Sequence, residues 1–220
     1  MYRGMIGSLM YLTASRPDIV FAVSVCARSQ SDPRASHLSH VKRIFRYLKG
    51  SDDLCLWYSK GGGLSLVGYT DADYAGYLAD RKSTSGMAQF LGPCLVSWGS
   101  KKQNCTALST TEAEYIAAAQ CCAQVLWIKQ QLVDYGITLD TISIFCDNTS
   151  AICVSKNPVH HTRTKHIDVR HHFLRDLVER KNIELIHVSS EGQLADIFTK
   201  ALNHQVFLNL RVQLGLIRLH

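Results

Sequence analysis

The sequence has no apolar stretch approaching the roughly 20 uninterrupted residues that a transmembrane helix needs. No membrane partner is expected. Arg3 followed by Met5–Leu12 has the order of a signal peptide, but the apolar run is short and Gly7 and Ser8 break it. An intracellular chain, cytoplasmic or nuclear, is therefore expected. The eight cysteines, at 26, 55, 94, 105, 121, 122, 146 and 153, include no C-x-x-C pair, so neither a zinc spacing nor a dithiol motif is present. Most lie inside apolar runs, where free cysteine behaves as a small hydrophobe, and a reduced protein follows. Internal repeats are absent too.

What is present is globular. Hydrophobic residues make up 46% and charged residues 19%, a balance that fills a core. The 220 residues allow one medium domain and a smaller one. The net charge of +6 is uneven, because residues 1–60 hold nine Lys/Arg against four Asp/Glu while the remainder is close to neutral. A basic front favours phosphate as a partner, although solvated helix faces would explain the charge equally well.

Helical spacing fills that front: Met5–Ala14, then Asp18–Gln30 entered at Pro17, then Ala35–Lys49 with Gly50 as its cap. The pattern then changes to strands at Leu54–Tyr58, Leu64–Asp71, Thr84–Leu91 and Cys94–Trp98, the last two joined at Gly92-Pro93. Thr110–Tyr135 is the longest helix pattern, opened by Ser109 or Thr110. A buried strand at Ile142–Cys146, helices at Thr149–Ser155 and Val169–Arg180, a strand at Glu184–Val188 and a last helix or helix pair from Gln193–Leu202 complete an α/β order.

Two acids close apolar strands: Asp71 after Leu66–Thr70, and Asp147 after Ile142–Cys146. A carboxylate there is costly unless a cation or donor pairs with it. Glu114 lies in the first turns of the long helix and Asp196 near the start of the expected last one. Converging, the four would suit hard divalent ions with oxygen ligands. A pair of ions about 3.5–4 Å apart can hold both oxygens of a phosphodiester displacement. Each acid taken alone is equally a helix cap or turn residue, and spacing does not decide between these.

The strings YTDADYAG (69–76), RKSTSG (81–86), VSWGSKKQ (96–103), LSTTEAEY (108–115), CDNTSAI (146–152), TKHID (164–168) and QLADIFTK (193–200) stand in the order seen in copia-type ribonuclease H domains. YRGMIGSLMYLTASRPDI (2–19) and VKRIFRYLKG (41–50) resemble the stretch behind the polymerase active site of the same Pol polyproteins. The resemblance implies a ribonuclease H-like fold: a mixed five-stranded sheet, its first three strands antiparallel, flanked by helices and preceded by a small helical segment. It divides the chain into a reverse transcriptase remnant at 1–60, a ribonuclease H-like domain at 61–205 and a tail at 206–220. It implies a metal-dependent endonuclease that cuts the RNA strand of RNA–DNA hybrids during retrotransposon reverse transcription. Asp71, Glu114, Asp147 and Asp196 would be catalytic and would bind two Mg²⁺, or Mn²⁺, with the rest of a Pol polyprotein as partner and no small-molecule cofactor. For the second acid, Glu114-Tyr115 matches the family pattern, and Glu112 is left as a first-turn acid.

Three features fit less simply. His187 stands at a strand end, so the mobile histidine of many ribonucleases H is not assigned to it. Ser51-Asp52-Asp53 echoes a polymerase's paired aspartates but follows a helix cap, so a turn and no DNA synthesis are expected. His160, His161, His166, His171 and His172, with Arg163, Lys165, Arg170 and Arg175, suit a basic edge facing nucleic acid better than a zinc site, since no cysteine stands at ligand spacing. The competing reading of the whole chain is a catalytically inactive nucleic-acid-binding relic of a decayed retroelement.

Overall fold

The protein is seen here in a computed structural model that describes residues 1–77, 79–156 and 173–218. The five clustered histidines and the start of the helix read over Val169–Arg180 lie outside these residues. Among the described residues, no helix is long and apolar enough to cross a membrane.

The chain forms two compact units, residues 59–201 and a discontinuous one of residues 1–58 with 202–220. In the discontinuous unit, α1 (Tyr2–Leu12), α2 (Val20–Ala27) and α3 (Ala35–Lys49) form where the apolar spacing requires, and Pro17 enters a short 3₁₀ turn before α2. Ile6, Leu9, Ile19, Val23, Val41 and Ile44 make its core. Residues 206–220, read from the sequence only as a tail, contribute most of α7 (His204–Gln213) and all of β7 (Leu216–Arg218). β7 pairs antiparallel with β1 (Leu54–Leu56), and Arg218 meets Asp53 at 2.6 Å. Asp52 and Asp53 form the turn between α3 and β1, as their position behind a helix end requires.

A buried polar network locks this unit. The Arg16 guanidinium donates to both Asp18 oxygens at 3.0 and 2.8 Å and to the Ser51 carbonyl and hydroxyl at 2.9 Å each. The Tyr47 hydroxyl donates to Asp18 at 2.5 Å and accepts from Arg211 at 3.2 Å. The bidentate fork needs arginine's planar geometry, which explains the Arg16-Pro17-Asp18 string better than helix termination alone.

The other unit is built on β2 (Leu66–Ala72), β3 (Thr84–Leu91), β4 (Cys94–Lys102), β5 (Ile142–Cys146) and β6 (Ile183–His187), in spatial order β4-β3-β2-β5-β6. The first three strands are antiparallel, while β5 runs parallel to both β2 and β6. This is the mixed ribonuclease H-like sheet expected from the motifs. Helices α4 (Thr110–Asp134), α5 (Thr149–Lys156) and α6 (Phe173–Glu179) flank it. α4 crosses β2 at Gly68, where a Cβ would come within 3.0 Å of the Cys121 sulfur. Cys121, Cys122, Val125, Ile142, Ile144 and Leu185 fill the core beneath, so these cysteines do serve as hydrophobes.

One expectation is corrected. Gln193–Leu202 does not open a helix but carries a 3₁₀ turn at Asp196–Phe198, and the helix starts only at His204. The Gln193 amide donates to the Thr70 carbonyl at 2.9 Å and accepts from the Ala195 N–H at 3.2 Å. These bonds fasten the segment to β2 through a side chain and close it locally as a turn. Asn203 caps the later helix through the Val206 N–H at 2.9 Å.

Arg16→Met should cost roughly 3–5 kcal/mol, because it strands a buried carboxylate. Urea unfolding followed by far-UV circular dichroism checks this, and a loss under 1 kcal/mol would mean that Asp18 finds other partners.

Candidate active site

Ligands of open α/β sheets bind outside the carboxyl ends of strands. Asp71 stands near that end of β2, and Asp147 directly follows β5, its parallel neighbour. Glu114 lies early in α4, and Asp196 opens the 3₁₀ turn. Carboxylate oxygens of Asp71, Asp147 and Asp196 lie within 4.8 Å of one another, and a Glu114 oxygen lies within the same distance of Asp147 and of the Cys146 sulfur. The four acids form one cluster joined through Asp147.

Glu112 has a different task. Its Oε2 accepts from the Leu108 N–H at 2.6 Å, while its own N–H donates to the Ser109 hydroxyl at 3.1 Å. It closes the start of α4.

The turn carrying Asp196 reaches the cluster because β3 has no side chain opposite Asp71. The residue in register there is Gly86, where a Cβ would meet Thr199 Cγ2 at 2.6 Å and the Ala195 carbonyl oxygen at 2.8 Å. Thr199 then donates its hydroxyl to Asp71 Oδ2.

Gathering acids in a partly dry site raises the proton affinity of Glu114, Asp147 and Asp196. Burial, then Asp71 and Asp147, push Glu114 up to about 9, against the Ala72 N–H and Lys200. Burial and Asp71 push Asp196 up to about 6, with Lys200 opposing. Asp147 is raised by burial and Asp71. Glu114 Oε2 is buried without a hydrogen-bond partner. Among the described residues, Lys200 answers this charge: its Nζ lies 2.8 Å from Asp196 Oδ1 and 3.8 Å from Asp71 Oδ2. Burial lowers the Lys200 pKa, but Asp71 and Asp196 outweigh it and the net shift is upward. Lys200 was not singled out from the sequence. Its spacing of four from Asp196 was the available signal.

His187 ends β6 and is exposed; it weakly lowers the Asp147 pKa but makes no part of the carboxylate cluster. A cavity of about 500 Å³ lined by Thr141, Lys156, Arg175, Lys181 and Glu184 lies at the opposite ends of β5 and β6 from the acids. It brings no comparable group of carboxylates together.

No family model matches the chain. The Retrovirus-related Pol polyprotein from transposon RE1 of Arabidopsis thaliana is 42% identical over 218 residues, 99% of this chain and 15% of that protein. That from transposon TNT 1-94 of Nicotiana tabacum is 42% identical over 207 residues, 94% of this chain and 16% of that protein. The chain belongs to the Pol polyproteins of copia-type retrotransposons. It spans about 15% of the length of these curated relatives. Among solved structures, RNase H1 from Halobacterium salinarum NRC-1 is 18% identical with a TM-score of 0.40, covering 61% of this chain and 94% of that one.

For this Pol chain the raised acids set a pH dependence. Without metal, folded Glu114 and Asp196 keep protons that the unfolded chain releases near pH 4, so the folded state binds more protons up to about pH 9. Stability therefore falls as pH rises through that window. Thermal melts in chelator should show a lower Tm at pH 8 than at pH 5, with a shallower slope in Glu114→Gln. Each kcal/mol moves Tm by about 2–4 °C at this size. An equal slope in that variant would remove Glu114 as the cause. Lys200→Gln should lower the Tm of the metal-free protein at pH 7 and enlarge the rise on adding Mg²⁺. A smaller rise would show that Lys200 assists the ion instead of standing in for it.

Proposed function

We propose that this Pol chain is a metal-dependent endonuclease that cleaves the RNA strand of RNA–DNA hybrids in retrotransposon reverse transcription. The observation that carries the reading is the convergence of Asp71, Glu114, Asp147 and Asp196 at the carboxyl ends of β2 and β5. The donor set fits a hard divalent ion. It is carboxylate oxygen, it includes an unpartnered buried Glu114 Oε2, and its repulsion raises proton affinities that a cation would relieve. The proposed ligands are these four acids, and Mg²⁺ or Mn²⁺ there would supply positive charge to the attacking and leaving oxygens of the scissile phosphodiester.

The chain's own groups then divide the work. Asp71 is oriented by the Thr199 hydroxyl, and the Gln193 amide holds the 3₁₀ turn of Asp196 against Thr70. Lys200 balances charge at the two acids it touches and, with a half-exposed side chain, is free to turn toward a phosphate when they are otherwise neutralised. Distinguishing RNA from DNA requires contacts to 2′-hydroxyls across the wide minor groove. The discontinuous unit adds basic α3 side chains suited to the backbone of a hybrid, and none of the four acids.

Asp71→Asn should reduce Mg²⁺-dependent cleavage of a labelled hybrid to the level seen in chelator. The amide still accepts from Thr199, so the fold should persist, and hybrid affinity should change little. Relief of crowding should leave the metal-free Tm equal or higher. Near-wild-type cutting by this variant would sink the reading. A wild type that binds hybrid but never cuts with Mg²⁺ or Mn²⁺ would identify the inactive relic.

A further inference from the structure

The metal reading accounts for the acids but leaves a sulfur among them unused. Cys146 is the last residue of β5 and is fully buried, and its neighbour Asp147 is partly exposed at the strand end. The Cys146 sulfur, a Glu114 oxygen and an Asp147 oxygen all lie within 4.8 Å of one another. Glu114 is only 6% exposed, and its Oε2 has no hydrogen-bond partner. Cys146 packs in the core cluster, and its thiol donates to the Asn148 carbonyl at a long 3.9 Å. Among the described residues, Cys146 is the cysteine that stands in such a group with acids. A buried acid with one oxygen unpartnered, within reach of a sulfur and a second acid, is an incomplete coordination shell.

We propose that Glu114, Cys146 and Asp147 form a site for thiophilic divalent ions, of which Zn²⁺ and Cd²⁺ are examples, overlapping the hard-ion site and competing with it. The inference rests on the proposed metal reading only in sharing Glu114 and Asp147. Zinc holds sulfur at about 2.3 Å and carboxylate oxygen at about 2.0–2.2 Å, so tetrahedral ligand atoms stand about 3.5 Å apart. Ligand atoms already within 4.8 Å of one another would have to draw in by about 1 Å to reach that spacing. Three protein ligands leave a fourth position for water, the arrangement of an open zinc site. Partly exposed Asp147 gives an ion its way in. As the metal–sulfur bond forms, the thiol proton leaves to solvent. Mg²⁺ gains nothing from the sulfur, since it takes oxygen ligands and keeps several waters. A soft ion held there would occupy two of the four acids and should inhibit cleavage.

The test titrates Cd²⁺ into the reduced, chelator-treated chain and follows the ultraviolet sulfur-to-metal charge-transfer band. A stoichiometric band is expected in the wild type. In Cys146→Ala it should lose its tight phase, with affinity falling by at least the roughly 10–100-fold that loss of an outer metal partner costs. Excess Mg²⁺ should move the wild-type titration to higher Cd²⁺. An unchanged band in Cys146→Ala, with the other seven cysteines in place, would overturn the proposal. Should the alanine variant fold poorly, Cys146→Ser, matched to wild type by circular dichroism, decides in the same way. Asp71→Asn should keep the band, because Asp71 is not one of the three ligands. A wild type that shows the band but never cleaves hybrid would defeat the endonuclease reading and leave this site standing.

Discussion

Mutual repulsion of four carboxylates is the constraint around which residues 59–201 are arranged. Such charges separate in water, so their proximity has to be enforced by packing elsewhere. The sheet does most of this. β2 and β5 are parallel neighbours and deliver Asp71 and Asp147 to one end. α4 packs across the same strands through its small face at Ala118, Cys121 and Cys122 and brings Glu114 with it. Asp196 arrives on a turn seated against the bare backbone of Gly86. Hydrophobic burial is non-directional, but spread over the whole core it holds the acids in an arrangement that they alone would not adopt.

The same logic explains which polar groups surround the cluster. Gln193 and Thr199 bond across to β2, so the acid carried on the 3₁₀ turn is tied down by side chains instead of a helix ladder. Lys200 supplies a tethered positive charge, which keeps the metal-free arrangement from carrying the full repulsion. The cost that remains is visible in the upward shifts of Glu114, Asp147 and Asp196. Strongly perturbed acids in one cleft are a recognised mark of functional sites.

Much of this was legible in the sequence where local and global preferences agree. α3 at Ala35–Lys49, β3 at Thr84–Leu91 and β5 at Ile142–Cys146 occupy the residues that their apolar periods mark out. β4 runs on to Lys102, past Trp98, because Gly99, Ser100, Lys101 and Lys102 pair with β3 despite a composition poor in strand formers. The period of Gln193–Leu202 reads as helical, yet the Gln193 side chain ties the segment to β2, a tertiary contact that periodicity cannot register. Glu112 and Glu114 differ only in what their carboxylates touch. Cys146 gains its partners from the tertiary fold, so a sequence pass has nothing to mark it by, while Lys200 stands four residues from Asp196 and takes on its role only once Asp71 is beside it.

The pairing of Leu54–Leu56 with Leu216–Arg218 carries a kinetic consequence. The discontinuous unit cannot complete its small sheet until the chain has been synthesised through β7. Closing so long a loop from an unfolded chain is slow, since the entropy is lost before the contacts form. If the inserted residues 59–201 fold first, the effective loop shortens to the separation of their two ends. The order of synthesis and the order of closure then agree: residues 59–201 mature while the helices ahead of them still wait for their last strand. The acidic site would thus be assembled before the unit that carries the basic helices is sealed.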